Sequence, residues 1–128
     1  MVDLQTLILS KSPKGQTQRA GNDQVRKQLI TMGDDGVEPR HVIHYFFARR
    51  WTLKRSPRQD IIDYVTELGF TVQDSTKNCV MFDTTSAIVG EEFDQLTDDL
   101  YAFGQTNGWT YDGWECAVVG VNVDDEAA

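Results

Sequence analysis

The sequence predicts an α+β domain in which two helices cover one face of a four-stranded antiparallel sheet, and three observations predict it. After an initial helix, strand-like and helix-like segments follow in the order β-α-β-β-α-β. Two segments, SPRQDIIDYVTELGF and GEEFDQLTDDLYAFGQTNG, repeat apolar residues at helical spacing along one stripe each, so each helix has one side to bury. Before both of them, VIHYFFA is apolar on both alternating sets of residues, as a central strand must be. Together these describe the ferredoxin-like βαββαβ sandwich with an extra N-terminal helix, whose usual strand order 4-1-3-2 makes the first strand central.

Taken in order, residues 1–21 contain the polar, turn-rich stretch KSPKGQTQRAG and are expected to form a mobile arm ahead of a domain spanning 22–121. NDQVRKQLITMGDDG predicts a short helix with Asn22 as its N-cap, Val25, Leu29 and Met32 on one face, and the glycines at 33 and 36 as its stop. The first strand follows from Val37 with Val42, His44 and Phe46 on one face and Ile43, Tyr45 and Phe47 on the other. The next helix has Ser56 as predicted N-cap, Pro57 at its first position and Gln59 as capping-box partner. Its stripe is Ile61, Ile62, Val65 and Leu68, and Gly69 ends it. FTVQD and NCVMFDT predict a hairpin joined by Ser75, Thr76 and Lys77. The last helix carries Phe93, Leu96, Leu100 and Phe103 inward, with Glu91 and Glu92 in its first turn, and breaks over 104–108. In the final segment, WTYDGWECAVV, an Asp-Gly hairpin would leave only a stub on each side. One strand bent at Gly113 has a normal length and is the expected form. A short acidic tail, 122–128, closes the chain.

At 128 residues, with 40% hydrophobic and 25% charged residues, the chain suits one soluble domain with a core that requires no staple. Its apolar runs are too short to span a bilayer, and Asp3 stands where a signal peptide needs positive charge, so a cytoplasmic protein without membrane contact is expected. Cys79 and Cys116 form neither a disulfide framework nor a metal motif, no histidine stands at ligand spacing, and no cofactor is implied. The two cysteines fall on strands flanking the central one and should not pair. Net charge is −8, but unevenly spread: residues 1–60 hold 11 cations against 6 carboxylates, and residues 61–128 hold 1 against 14. An acidic C-terminal half suits a basic partner.

The candidate functional residues are therefore acidic and aromatic. Asp94, Asp98 and Asp99 are expected on the outside of the last helix, with Glu91 and Asp112 near one rim, as a face for a basic protein partner. Tyr111 and Trp114 suit an exposed hot spot but better an interior packing role, in which Asp112 fixes the bend. His44, Asp83, Cys79 and Cys116 are the groups an enzyme would use, but none lies in a nucleophile motif, and a packed His44 is expected. The cluster RRWTLKRSPR, with Trp51 among cations, has the composition of an RNA-binding loop. The overall charge opposes direct nucleic-acid binding, and Trp51 is expected to fold inward. The sheet face left bare of helices offers a surface for a second copy or another partner.

The block YDGW at 111–114, the acidic helix and Asn107-Gly108 before it, the early helix ending in DDG, and LGF with TVQD at 68–74 resemble the RraB-like family, regulators of ribonuclease E activity B. The likeness runs in order and spacing over about residues 22–119. It implies a ferredoxin-like α+β domain whose YDGW block opens the last strand. It also implies a non-catalytic protein that binds ribonuclease E, or another component of the degradation machinery, and restrains cleavage of RNA. The chain departs from the family in ending after Asp124, Asp125 and Glu126 rather than in a long acidic tail, and in residues 1–21 and 49–58, which find no counterpart. An immunity protein or antitoxin against a basic nuclease requires the same acidic, compact design, and a small-molecule-binding domain of this fold is a further alternative.

Overall fold

The computed structural model describes residues 7–10, by their backbone, together with 18–52 and 54–119. Its elements are β1 (Leu7–Ser10), α1 (Gln18–Thr31), β2 (Arg40–Ala48), α2 (Arg58–Glu67), β3 (Thr71–Thr76), β4 (Cys79–Ser86), α3 (Glu91–Asn107) and β5 (Trp109–Ala117). All strand pairs are antiparallel, in the order β1-β5-β2-β4-β3. The four strands predicted from sequence thus take the ferredoxin-like order around β2, and β1 adds a fifth at the edge. The expectation of an arm through residue 21 needs correcting on two counts, since residues 7–10 pair with Trp114–Ala117 and α1 begins at Gln18. Residues 11–17 and the acidic tail 122–128 lie outside the described residues.

Helix α1 starts a turn earlier than its capping signal because Arg19 reaches α3, where its guanidinium meets Glu91 at 2.8 Å and Asp98 at 3.4 Å. Asn22, predicted as the N-cap, is instead a buried residue inside the helix. Val25 and Leu29 face the core as expected, while Met32, beyond the helix end, is exposed. Helix α2 is shifted by one residue: Pro57 is its N-cap, without a side-chain capping bond. Ser56 is drawn away because its hydroxyl donates to Asn107 Oδ1 at 2.7 Å and its carbonyl accepts from Trp109 Nε1 at 2.9 Å. Gln59 bonds Asp63 rather than closing a capping box, and Leu68 is exposed. The hairpin turns at Lys77 and Asn78, since Thr76 already pairs with Cys79.

Helix α3 does not break at Gly104. It runs through to Asn107 and ends on Gly108 in the left-handed conformation. Gly104 is there for space: a Cβ at that position would stand 2.7 Å from the Trp109 carbonyl oxygen and 2.9 Å from the Phe46 ring. The core between helices and sheet is aromatic, with Phe46, Phe70, Phe82, Phe93, Trp109, Tyr111 and Trp114 all buried. Each indole hides roughly 200 Å² of surface, on the order of 5 kcal/mol before entropic costs.

Strand β5 answers the question of WTYDGW. Its register against β2 shifts between His44, opposite Trp114, and Phe46, opposite Tyr111, so one residue of β2 faces two of β5. Gly113 takes φ of +99° at this bulge. Strict alternation from Tyr111 would turn Trp114 outward, and the extra residue resets the count so that Trp114 and Cys116 both face the core. Cys116 pairs across from Val42 on the core face, whereas Cys79 pairs across from Phe47 on the bare face. The thiols are on opposite sides of the sheet, and both are free.

Candidate functional site

Three of the residues expected to meet a partner are placed inside the molecule. Asp94 is 8% exposed. Its carboxylate takes Arg26 Nη2 at 2.7 Å and Asn22 Nδ2 at 3.0 Å on one oxygen, with Arg26 Nη1 at 3.4 Å on the other. Burial opposes its charge, but the bonds from Arg26 and Asn22 outweigh that and hold the carboxyl below the usual carboxylate range. Asn22 also donates to Thr97 Oγ1 at 3.0 Å and accepts from Trp114 Nε1 at 2.7 Å. One amide therefore joins α1, α3 and β5, and Trp114 is fixed by it in the core. Helical periodicity alone placed Asp94 on the outside; the missing signal was α1, which packs over that side of α3 and supplies the arginines.

Tyr111 is likewise interior. Its hydroxyl lies 2.7 Å from His44 Nδ1, while His44 Nε2 is buried without a partner. Burial pushes the tyrosine well above its ordinary range and the histidine down to about 3, against the opposing pull of Asp83. The imidazole is stacked with Phe82 and set edge-on to Phe70, as a packing residue. Cys116 rises to about 11 through burial, partly offset by Arg40, so neither it nor His44 is poised for nucleophilic or base chemistry. Among the described residues no cluster of histidine, cysteine and carboxylate groups could hold a metal ion.

Sequence periodicity also missed a second internal charge site. Asp34, in the Gly-Asp-Asp-Gly turn after α1, makes a two-pronged ion pair with Arg40 at 2.6 and 2.9 Å, and both side chains are buried. The same carboxylate accepts from the backbone N–H of Gly36 and of Val119, at 2.9 and 2.7 Å. Burial opposes its ionisation, but Arg40 and these two amides prevail, so the carboxyl titrates low. This pair ties the end of α1 to β2 and the end of β5.

The surface that remains acidic is the outside of the helical layer. Glu92 and Asp99 of α3 are exposed, Asp98 is half-exposed, and Asp60, Asp63 and Glu67 of α2 are exposed beside them in the same layer. Helices α2 and α3 are locked together by Tyr64 stacked on Phe103, ring centroids 3.6 Å apart. Glu91, though exposed, is already engaged by Arg19, which also reaches Asp94 and Asp98. Asp112 is half-buried on β5 beside the bulge. The bare sheet face aligns Ile43, Tyr45, Phe47 and Met81, edged by Asp83 held by His41 and by Glu115, which accepts from Tyr45 at 3.0 Å.

A family model described as Regulator of ribonuclease activity B matches residues 19–116. The chain belongs to the RraB family. The matched stretch opens at Arg19, the arginine that bridges α1 to α3, and ends at Cys116 on β5; β1 lies outside it. The RraB match thus takes in α1 together with the four-stranded core, consistent with the Asn22, Asp94 and Trp114 network that makes them one unit. No curated protein matches the chain. Among the described residues, no helix of this RraB-family chain is long and apolar enough to cross a membrane.

Proposed function

We propose that this chain is a non-catalytic, cytoplasmic regulator that binds a ribonuclease E-type endoribonuclease, or a component of its degradation complex, and restrains its cleavage of RNA. The observation that carries the reading is the RraB match across α1 and the whole βαββαβ core. The same match favours a ribonuclease regulator over an antitoxin of similar charge. The contact surface is the carboxylate-bearing outside of α2 and α3, with Asp98 and Asp99 at its centre and Glu91 toward one rim. Asp112, next to the inward-facing Tyr111, belongs to the bare side of the sheet with Cys79 and is not part of it. Proteins that hold RNA do so with lysine and arginine, and a fixed field of carboxylates competes with phosphate for the same side chains. Asp94, Tyr111 and Trp114 act in this reading from inside, by holding α1, α3 and β5 in register.

The test is inhibition of a purified ribonuclease E-type enzyme on a single-stranded RNA substrate. The wild-type chain is compared with the D63K/D98K/D99K variant; because D98K also removes the contact with Arg19, an unchanged thermal melt establishes that the variant folds. Inhibition that weakens at least tenfold in the variant is expected. Unchanged inhibition would discard this surface, and absence of inhibition by the wild-type chain would discard the function itself.

A further inference from the structure

The basic segment 49–58 departs from its expected form, because Trp51 does not fold inward: it is 91% exposed. The Arg50 guanidinium lies 5.8 Å from its ring centroid. The segment holds five cations, Arg49, Arg50, Lys54, Arg55 and Arg58, and no carboxylate. Among the described residues none of the five is in an ion pair; Arg49 bonds Gln105 and Arg55 bonds the Arg49 carbonyl. Arg19, Arg26 and Arg40, by contrast, are each paired with carboxylates, Arg26 and Arg40 with buried ones and Arg19 with those of α3.

The backbone beneath this cluster is firmly seated. Arg49 N–H donates to the Gly108 carbonyl and Ser56 N–H to the Asn107 carbonyl, at 3.0 and 2.9 Å. Gly108 is required for this fit, since a Cβ there would lie 2.7 Å from the Lys54 carbonyl oxygen and 2.8 Å from Arg55 Cα. Two open concavities adjoin at Arg55 and Ser56. One, of about 370 Å³, is lined by Arg55, Ser56, Pro57, Arg58, Lys77 and Trp109; the other, of about 440 Å³, adds Lys54, Thr106 and Asn107. No carboxylate lines either.

We propose that this pole binds a short stretch of single-stranded nucleic acid, with a base stacked on Trp51 and successive phosphates met by Arg50, Lys54, Arg55, Arg58 and Lys77. A solvent-standing indole flanked by unpaired cations is the arrangement that takes unstacked bases, and only a single strand presents a base face to it. The overall charge does not prevent this. The site sits at the C-terminal end of α3, and the nearest carboxylates of that helix, Asp99 and Asp98, lie about 12 and 14 Å from Asn107 along it, beyond one screening length at physiological salt. Asp60, two residues after Arg58, is an exposed carboxylate close by. The inference does not rest on the proposed ribonuclease contact, which uses the carboxylates of the helical layer.

The experiment titrates the full chain into fluorescein-labelled oligo(U) and oligo(dT) twelve-mers at about 50 and 200 mM salt, followed by anisotropy, with intrinsic tryptophan emission recorded in parallel. Trp51 is the exposed tryptophan and the other two are buried, so quenching reports on it. W51A should weaken binding roughly tenfold and abolish the quenching. R50A/K54A/R58A should flatten the log-log salt slope by about 2, at about 0.7 per phosphate. All four substituted side chains are at the surface, and unchanged thermal melts establish that the variants fold. D63K/D98K/D99K should bind the oligonucleotides at least as well as wild type, which separates this site from the ribonuclease contact. Equal binding of the two oligonucleotides supports a site that reads strand and stack alone, and preference for oligo(U) supports one dedicated to RNA. No binding at low salt, binding that W51A leaves as tight as in the wild type, or displacement by polyglutamate as effective as by unlabelled oligonucleotide would each overturn the proposal.

Discussion

His44 makes the stability of this protein sensitive to mild acid, and the size of the effect can be worked from its surroundings. The imidazole is wholly buried among Phe70, Phe82 and Phe93, its Nδ1 meets Tyr111, and its Nε2 has no hydrogen-bond partner, so only the weaker pull of Asp83 offsets the cost of a second proton. Its pKa falls from an ordinary 6.5 to about 3 in the folded chain, while the unfolded chain keeps the ordinary value. A group depressed in this way contributes stability that is complete above pH 6.5 and is lost as the pH falls, because the unfolded state then gains a proton that the folded state refuses. Between pH 7.5 and 4.5 the unfolded imidazole is driven two pH units below its midpoint, which costs about 2.7 kcal/mol. For a domain of this length that lowers Tm by about 10 °C. Asp34 and Asp94 also hold depressed carboxyls, but their contributions are lost only as the pH falls below the ordinary carboxylate range, so the upper window belongs to the histidine. The assay is thermal or urea unfolding at pH 7.5 and 4.5 for wild type and for H44F, in which the ring is kept and the titration removed. H44F starts less stable, having left Tyr111 without its partner, but its loss between the two pH values should be smaller by about 2.7 kcal/mol. Equal losses in the two proteins would refute the reasoning.

Two further substitutions probe the joints of the fold. G104A should destabilise by roughly 1–3 kcal/mol in urea unfolding although alanine is the better helix former by about 1 kcal/mol, because the added methyl meets the Trp109 carbonyl and the Phe46 ring; a stabilised G104A would show that the helix and strand have room to part. R40M should cost roughly 3–5 kcal/mol by leaving Asp34 charged and buried, and the D34L/R40M double variant should recover a large part of that loss. If the double variant were no more stable than R40M, the penalty would lie in packing rather than in the stranded charge.

The family block YDGW is legible in this structure as mechanics. Tyr111 holds His44, Gly113 supplies the positive φ of the bulge, and Trp114, turned inward by that bulge, reaches Asn22 across the α1–α3 joint. The Asp-Asp-Gly turn has a comparable role through Asp34 and Arg40.

The sequence by itself determined the order of elements, the central place of β2, the bend at Gly113 and the family. These follow from period, turn chemistry and local composition, which act over a few residues and survive without a partner element. Only the tertiary structure decided where the charges stand. Asp94 has the helical phase of an outward residue and is buried because α1 lies across it. Trp51 has the composition of a core residue and yet stands in solvent, while Trp109 is the indole that is buried, bonded to the Ser56 carbonyl. The start of α1, the strand at residues 7–10 and the pairing of Asp34 with Arg40 depend on groups distant in sequence. A charge takes its worth from what surrounds it, and for this chain those surroundings exist only after folding.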